Sequence, residues 1–88
     1  MKLIIAIIRD EESDEIIQSL IQGEYRVTRI ASTGGFLRRG VTTLMIGVED
    51  EKVEEAIRLV GDKCLPATQP GSRCSTLFVL NIEEFIQV

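Results

Sequence analysis

The chain has 88 residues, of which 44% are hydrophobic and 27% charged, with 14 acids against 10 bases for a net charge of −4. That length holds one domain with a modest core, and the composition argues against disorder and against bulk nucleic-acid binding. Histidine is absent, which removes the commonest general base and metal ligand.

The apolar start, Leu3 to Ile8, is rich in isoleucine and reads as a strand buried on both faces. It is too short for a signal peptide, and Arg9-Asp10-Glu11-Glu12 ends it. No stretch is long enough to span a membrane, so the expected location is the cytoplasm, without membrane insertion. Asp10-Glu11-Glu12-Ser13 reads as a capped helix start with acids at the positive end of the dipole. Ile16, Ile17, Leu20 and Ile21 then recur at helical spacing, and Gly23 is the expected stop.

Tyr25 to Ala31 alternates as a second strand, followed by a loop from Ser32 to Gly40 and a third strand from Thr42 to Val48. Asp50 is the expected cap of a second helix, in which Val53, Ala56, Ile57 and Val60 form one stripe and Gly61 is expected to end or fray it. Leu65 to Ser75, with Pro66, Pro70 and Gly71, reads as a loop, and Thr76 to Leu80 as the last strand. Cys64 and Cys74 read as two free thiols, since one pair without a secretion signal is weak ground for a disulfide. Without a CxxC, a metal or redox role has little support, and no cofactor or metal is expected.

The order is β-α-β-β-α-β in a single domain, residues 1–88. Its physical solution is a ferredoxin-like α+β sandwich, an antiparallel sheet with both helices on one face. Right-handed crossovers put the first and third strands at the centre. The first strand is nevertheless apolar on both faces, with Leu3, Ile5 and Ile7 on one and Ile4, Ala6 and Ile8 on the other, and the two helices cover one face only. Copies of the same chain, most simply a homotrimer, are expected to bury the uncovered face.

Tyr25 to Val48 contains no Asp or Glu but four arginines, Arg26, Arg29, Arg38 and Arg39. Within it, Thr33-Gly34-Gly35-Phe36-Leu37-Arg38-Arg39-Gly40 joins a glycine pair to two of those bases. Adjacent glycines allow successive amides to turn inward as an anion nest, and the arginine fork suits phosphate. Arg26 and Thr28 stand two apart on the second strand, hence on one face, which is expected to lie beside this loop. Phe36 offers a ring for a base to stack on, which favours a nucleotide over bare phosphate. A glycine pair between two strands also makes an ordinary hairpin, and exposed arginines are commonly just solvated. Both readings stand on the residues alone, and no nucleophile–base pair emerges for an enzyme.

The same residues carry a resemblance. The start Met1-Lys2-Leu3-Ile4-Ile5-Ala6-Ile7, the strand Tyr25-Arg26-Val27-Thr28, the run Thr33 to Arg38, then Gly40, Thr42, Thr43 and Gly47, resemble the PII-like cyclic di-AMP receptor proteins. The likeness resumes at Thr76-Leu77-Phe78-Val79-Leu80 and Phe85. It implies a ferredoxin-like homotrimer without catalysis that binds cyclic di-AMP in clefts between subunits and signals to an unidentified protein partner. Carried over by position, Arg26 and Thr28 line the cleft, Gly35, Phe36 and Leu37 form the ligand loop, and Gly47 lies close to an adenine. Arg38, beside them, is the further ligand-binding candidate. The sequence departs from the family pattern at Val41 and Glu24, where asparagine is usual, and in the short 65–75 loop. Another nucleotide such as ATP, or a ligand-free module docking through Arg38 and Arg39, are the alternative readings.

Overall fold

The computed structural model describes residues 1–32, 40–62, 75–84, 86 and 88. In chain order they form β1 (Lys2–Arg9), α1 (Asp10–Gln22), β2 (Arg26–Ser32), β3 (Val41–Val48), a 3-10 turn (Asp50–Lys52), α2 (Val53–Asp62) and β4 (Ser75–Asn81). The sheet runs β2-β3-β1-β4. Every neighbouring pair is antiparallel, and the two most apolar strands hold the centre, as the connection rules require. No helix among the described residues is long and apolar enough to cross a membrane.

Period-two alternation sorts the strands into two faces. Ile4, Ala6 and Ile8 of β1 and Leu44 and Ile46 of β3 are fully buried, with Ile16 and Leu20 of α1 and Ala56 of α2 against them. Burial of each large aliphatic side chain contributes about 1.5–3 kcal/mol before entropy is counted. Among the described residues neither helix covers the opposite face. Leu3, Ile5 and Ile7 are only half-buried there, and Phe78 and Leu80 of β4 are 52% and 47% exposed beside them.

Three helix-end details differ from the sequence reading. Arg9, not an acid, precedes α1, and no side chain caps it. Asp10 instead begins the helix and accepts a hydrogen bond from the Thr42 hydroxyl. Asp50 does not cap α2 but opens the 3-10 turn, where its carboxylate lies 3.0 Å from the N-terminal ammonium. Gly61 lies inside α2, which continues to Asp62. A single glycine costs a helix only about 1 kcal/mol, which the packed apolar stripe before it offsets.

Gly23 does end α1, though not through a left-handed backbone. The left-handed residue is Glu24, with φ 67°. Its amide bonds to Ile21 O at 2.9 Å, and the Tyr25 amide to Leu20 O at 3.0 Å, the paired bonds of a Schellman motif. Glycine at position 23 has a packing reason, because a Cβ there would sit 3.0 Å from Cε2 of the Tyr25 ring.

Candidate functional site

β2 is an edge strand with two uses. Its Arg26 and Thr28 face the helix-free side, paired across the ladder with Gly47 and Met45 of β3, while Val27 pairs with Ile46 of the core. On the helix-free side a cleft of about 640 Å³ opens. Arg26, Val27 and Thr28 form one wall, Met45 and Gly47 the floor, and Leu3 and Ile82 the far wall. Three sequence candidates, Arg26, Thr28 and Gly47, thus meet in one cavity. The register is what joins them, since Gly47 is 21 residues from Arg26 but directly opposite it.

Gly47 is informative because the fold does not ask for it. Its backbone is not in the left-handed region, and among the described residues an added Cβ would meet only Met1 Cε, at an ordinary 3.5 Å. Glycine inside a strand costs roughly 0.5–1 kcal/mol relative to alanine, and here no turn, bulge or tight contact offsets that cost. What the missing side chain does achieve is a bare stretch of cleft floor beside Arg26. A backbone left uncovered at such a place permits close approach of a ligand.

Arg26 is the cation of the lining and Thr28 adds a hydroxyl, whereas Leu3, Met45 and Ile82 are apolar. The cleft can therefore take an anionic group at the β2 end and a hydrophobic group at the other. Among the described residues no cluster of acids or thiols could hold a metal ion.

The expected juxtaposition of Arg26 and Thr28 with the loop falls on residues 33–39, outside the described ones, and only the stem of the loop is placed. The loop leaves the sheet at Ser32, opposite Thr42, whereas Arg26 lies opposite Gly47. Those two rows are five residues apart along β3, about 17 Å at strand rise. The stem of the loop thus stands at the other end of the sheet from Arg26. A bulge between Arg29 and Ala31 also shifts the register on the way. Gly35, Phe36, Leu37, Arg38 and Arg39 lie outside the described residues, as do Cys64, Cys74 and Phe85.

The loop's exit is firmly tied to α1. The Asp10 amide donates to Gly40 O at 3.1 Å, Thr42 is buried and bonds to the Asp10 carboxylate, and the Ser13 hydroxyl donates to Asp10 O at 2.8 Å. Next to them Arg9 and Glu12 form an ion pair at 2.8 Å, with the Glu12 side chain 3% exposed. At the other end of β2, Tyr25 is buried and Lys52 lies 5.8 Å from its ring centroid. Burial raises the Tyr25 hydroxyl above its ordinary pKa, and the Glu55 carboxylate adds to the shift.

Of the lining residues, sequence reasoning missed Leu3, Val27, Met45 and Ile82. Alternation gave a signal for Leu3 and Met45, which share a face with Gly47 and Arg26 once the register is known. Ile82 carried none, because it follows the last strand and enters the cleft only through the fold. A smaller groove lies behind β2, where Arg29 pairs with Asp14 of α1 at 2.9 Å over Ile17 and Val27.

Comparison with known proteins gives three findings. The sequence model of a family described as cyclic-di-AMP receptor matches residues 1–70. A curated protein of Methanosarcina barkeri, the nitrogen fixation nifHD2 region GlnB-like protein 1, is 28% identical over 96 residues, covering 94% of this chain and 89% of its own. The crystal structure of a functionally unknown protein from Pediococcus pentosaceus superimposes with a TM-score of 0.81 at 30% identity, over 99% of this chain and 96% of that one.

Proposed function

The chain belongs to the cyclic-di-AMP receptor family, and on that premise we propose that it is a PII-like signalling protein whose cleft binds cyclic di-AMP. The observation that carries the reading is Gly47, a mid-strand glycine without a structural reason, directly opposite Arg26 on the cleft floor. Arg26 and Thr28 take a phosphate, for which a guanidinium and a hydroxyl are suited donors. Gly47 lets the ligand approach the backbone. Gly35, Phe36, Leu37 and Arg38 complete the site from the loop.

In this reading the protein works as a homotrimer. The half-buried Ile5 and Ile7 and the exposed Phe78 and Leu80, beside the cleft wall at Leu3, form one apolar surface, and a closed ring of three copies would remove it from water. The clefts then lie near subunit boundaries, and ligand occupancy is passed on through the loop to a protein partner.

A thermal-shift titration of the intact chain tests the ligand. Cyclic di-AMP is expected to raise the melting temperature saturably, and Arg26→Ala to abolish most of the rise. No shift at millimolar cyclic di-AMP overturns the reading, and a larger response to ATP in the same panel replaces the ligand. Sedimentation at micromolar concentration tests the assembly, where a monomer refutes the trimer.

A further inference from the structure

The cleft changes character from one side to the other. Following the strand order, its lining passes from Arg26 and Thr28 on β2, through Met45 and Gly47 on β3, to Leu3 on β1 and Ile82 just past β4. Donors thus lie at one end and aliphatic groups at the other. Four strands about 4.8 Å apart set those ends roughly 14 Å apart, far more than one phosphate group occupies.

Ile82 stands out among these residues. It lies beyond residues 1–70, which the family model matches, and it is not among the residues that carry the resemblance. It is also held in place. Its amide donates to Met1 O at 3.1 Å, and the Asn81 side chain before it accepts from the Lys2 ammonium. These two contacts fix the chain where it leaves β4, and Ile82 is half-buried at the apolar end of the cleft.

The geometry points to Ile82 as a specificity-determining residue of the nucleotide site. With Leu3 it forms an apolar wall for the flat face of a purine, while Arg26 and Thr28 hold the phosphate at the opposite end and Met45, directly across from Thr28, lies on the floor between. This inference rests on the proposed nucleotide function and assigns the ligand's orientation within it. Aliphatic carbons make favourable contacts with an aromatic ring and offer no hydrogen bond to a bare anion. The wall therefore selects for the base, and the β2 end for the charge.

Isothermal titration of the intact chain with cyclic di-AMP, at several salt concentrations and temperatures, tests this. The parent is titrated first. Ile82→Ala is expected to weaken binding roughly ten- to hundredfold, as loss of several methyl groups from an apolar pocket does. Its salt dependence should stay that of the parent, and its heat-capacity change on binding should be less negative. Arg26→Ala should also weaken binding but flatten the salt dependence. An affinity for Ile82→Ala within twofold of the parent, or a flattened salt dependence, overturns the assignment while leaving the proposed function intact. No binding by the parent overturns both. If Ile82→Ala does not fold, Leu3→Ala, on the same side of the cleft, carries the same expectation and the same refutation.

Discussion

Replacing Gly47 by alanine should separate what the fold needs from what the cleft needs. Among the described residues a Cβ at this position meets Met1 Cε at 3.5 Å and nothing closer, so no contact there opposes it. The backbone there is not in the left-handed region, so no strain opposes it either. The substitution should then stabilise the free protein by roughly 0.5–1 kcal/mol, the usual gain over glycine inside a strand. For a domain of this size that is about 2–8 °C in melting temperature. The same methyl group intrudes on the cleft floor opposite Arg26. Overfilling a close-packed contact costs about 1–3 kcal/mol, which is a fivefold to 150-fold loss of affinity. Differential scanning fluorimetry at one fixed protein concentration, with and without cyclic di-AMP, reads both quantities. The free variant should melt higher than the parent and gain less from ligand. A free variant that melts lower refutes the claim that the fold tolerates a side chain there. An unchanged ligand response refutes the claim that the ligand approaches Gly47.

Glu24 is a non-glycine residue at φ 67°, a conformation that costs such residues roughly 1 kcal/mol or more. Glu24→Asn, which adopts the left-handed region more readily, should raise stability by several tenths of a kcal/mol in urea unfolding, and an unchanged midpoint would refute the strain. Arg9→Ala should destabilise by about 2–4 kcal/mol, because it leaves the Glu12 carboxylate buried without its partner. The double variant Arg9→Ala/Glu12→Leu should recover most of that loss, and a double variant as unstable as the single one would refute the account. Tyr25 has a raised hydroxyl pKa, so above pH 10 the folded protein keeps a proton that the unfolded chain gives up. Stability should therefore fall as pH rises beyond 10, and Tyr25→Phe should remove that part of the fall. Equal alkaline losses in parent and variant would show that other groups are responsible.

The sequence by itself determined the elements and their order. Ile4, Ala6 and Ile8 alternate with Leu3, Ile5 and Ile7, so β1 was legible as a central strand, and the stripes of α1 and α2 named the residues that cover one face. Those are local periodicities, and each is written within a few consecutive turns or pleats. Helix ends were less legible, because a cap depends on which neighbours are free to bond. Asp10 is occupied by Thr42 of β3 and Asp50 by the chain's own N-terminus, partners that lie far off in sequence. The site was legible only in part. Arg26 and Thr28 were visible as a same-face pair, and Gly47 through the resemblance, but nothing local set them opposite one another. Only the tertiary structure decided that the cleft runs across β2, β3 and β1, that Ile82 just past β4 lines it, and that the loop stem leaves from the far end of β2. The physical reason is that register between strands is settled by burying one face of the whole sheet at once, so the neighbours of a site residue are chosen by the core behind it.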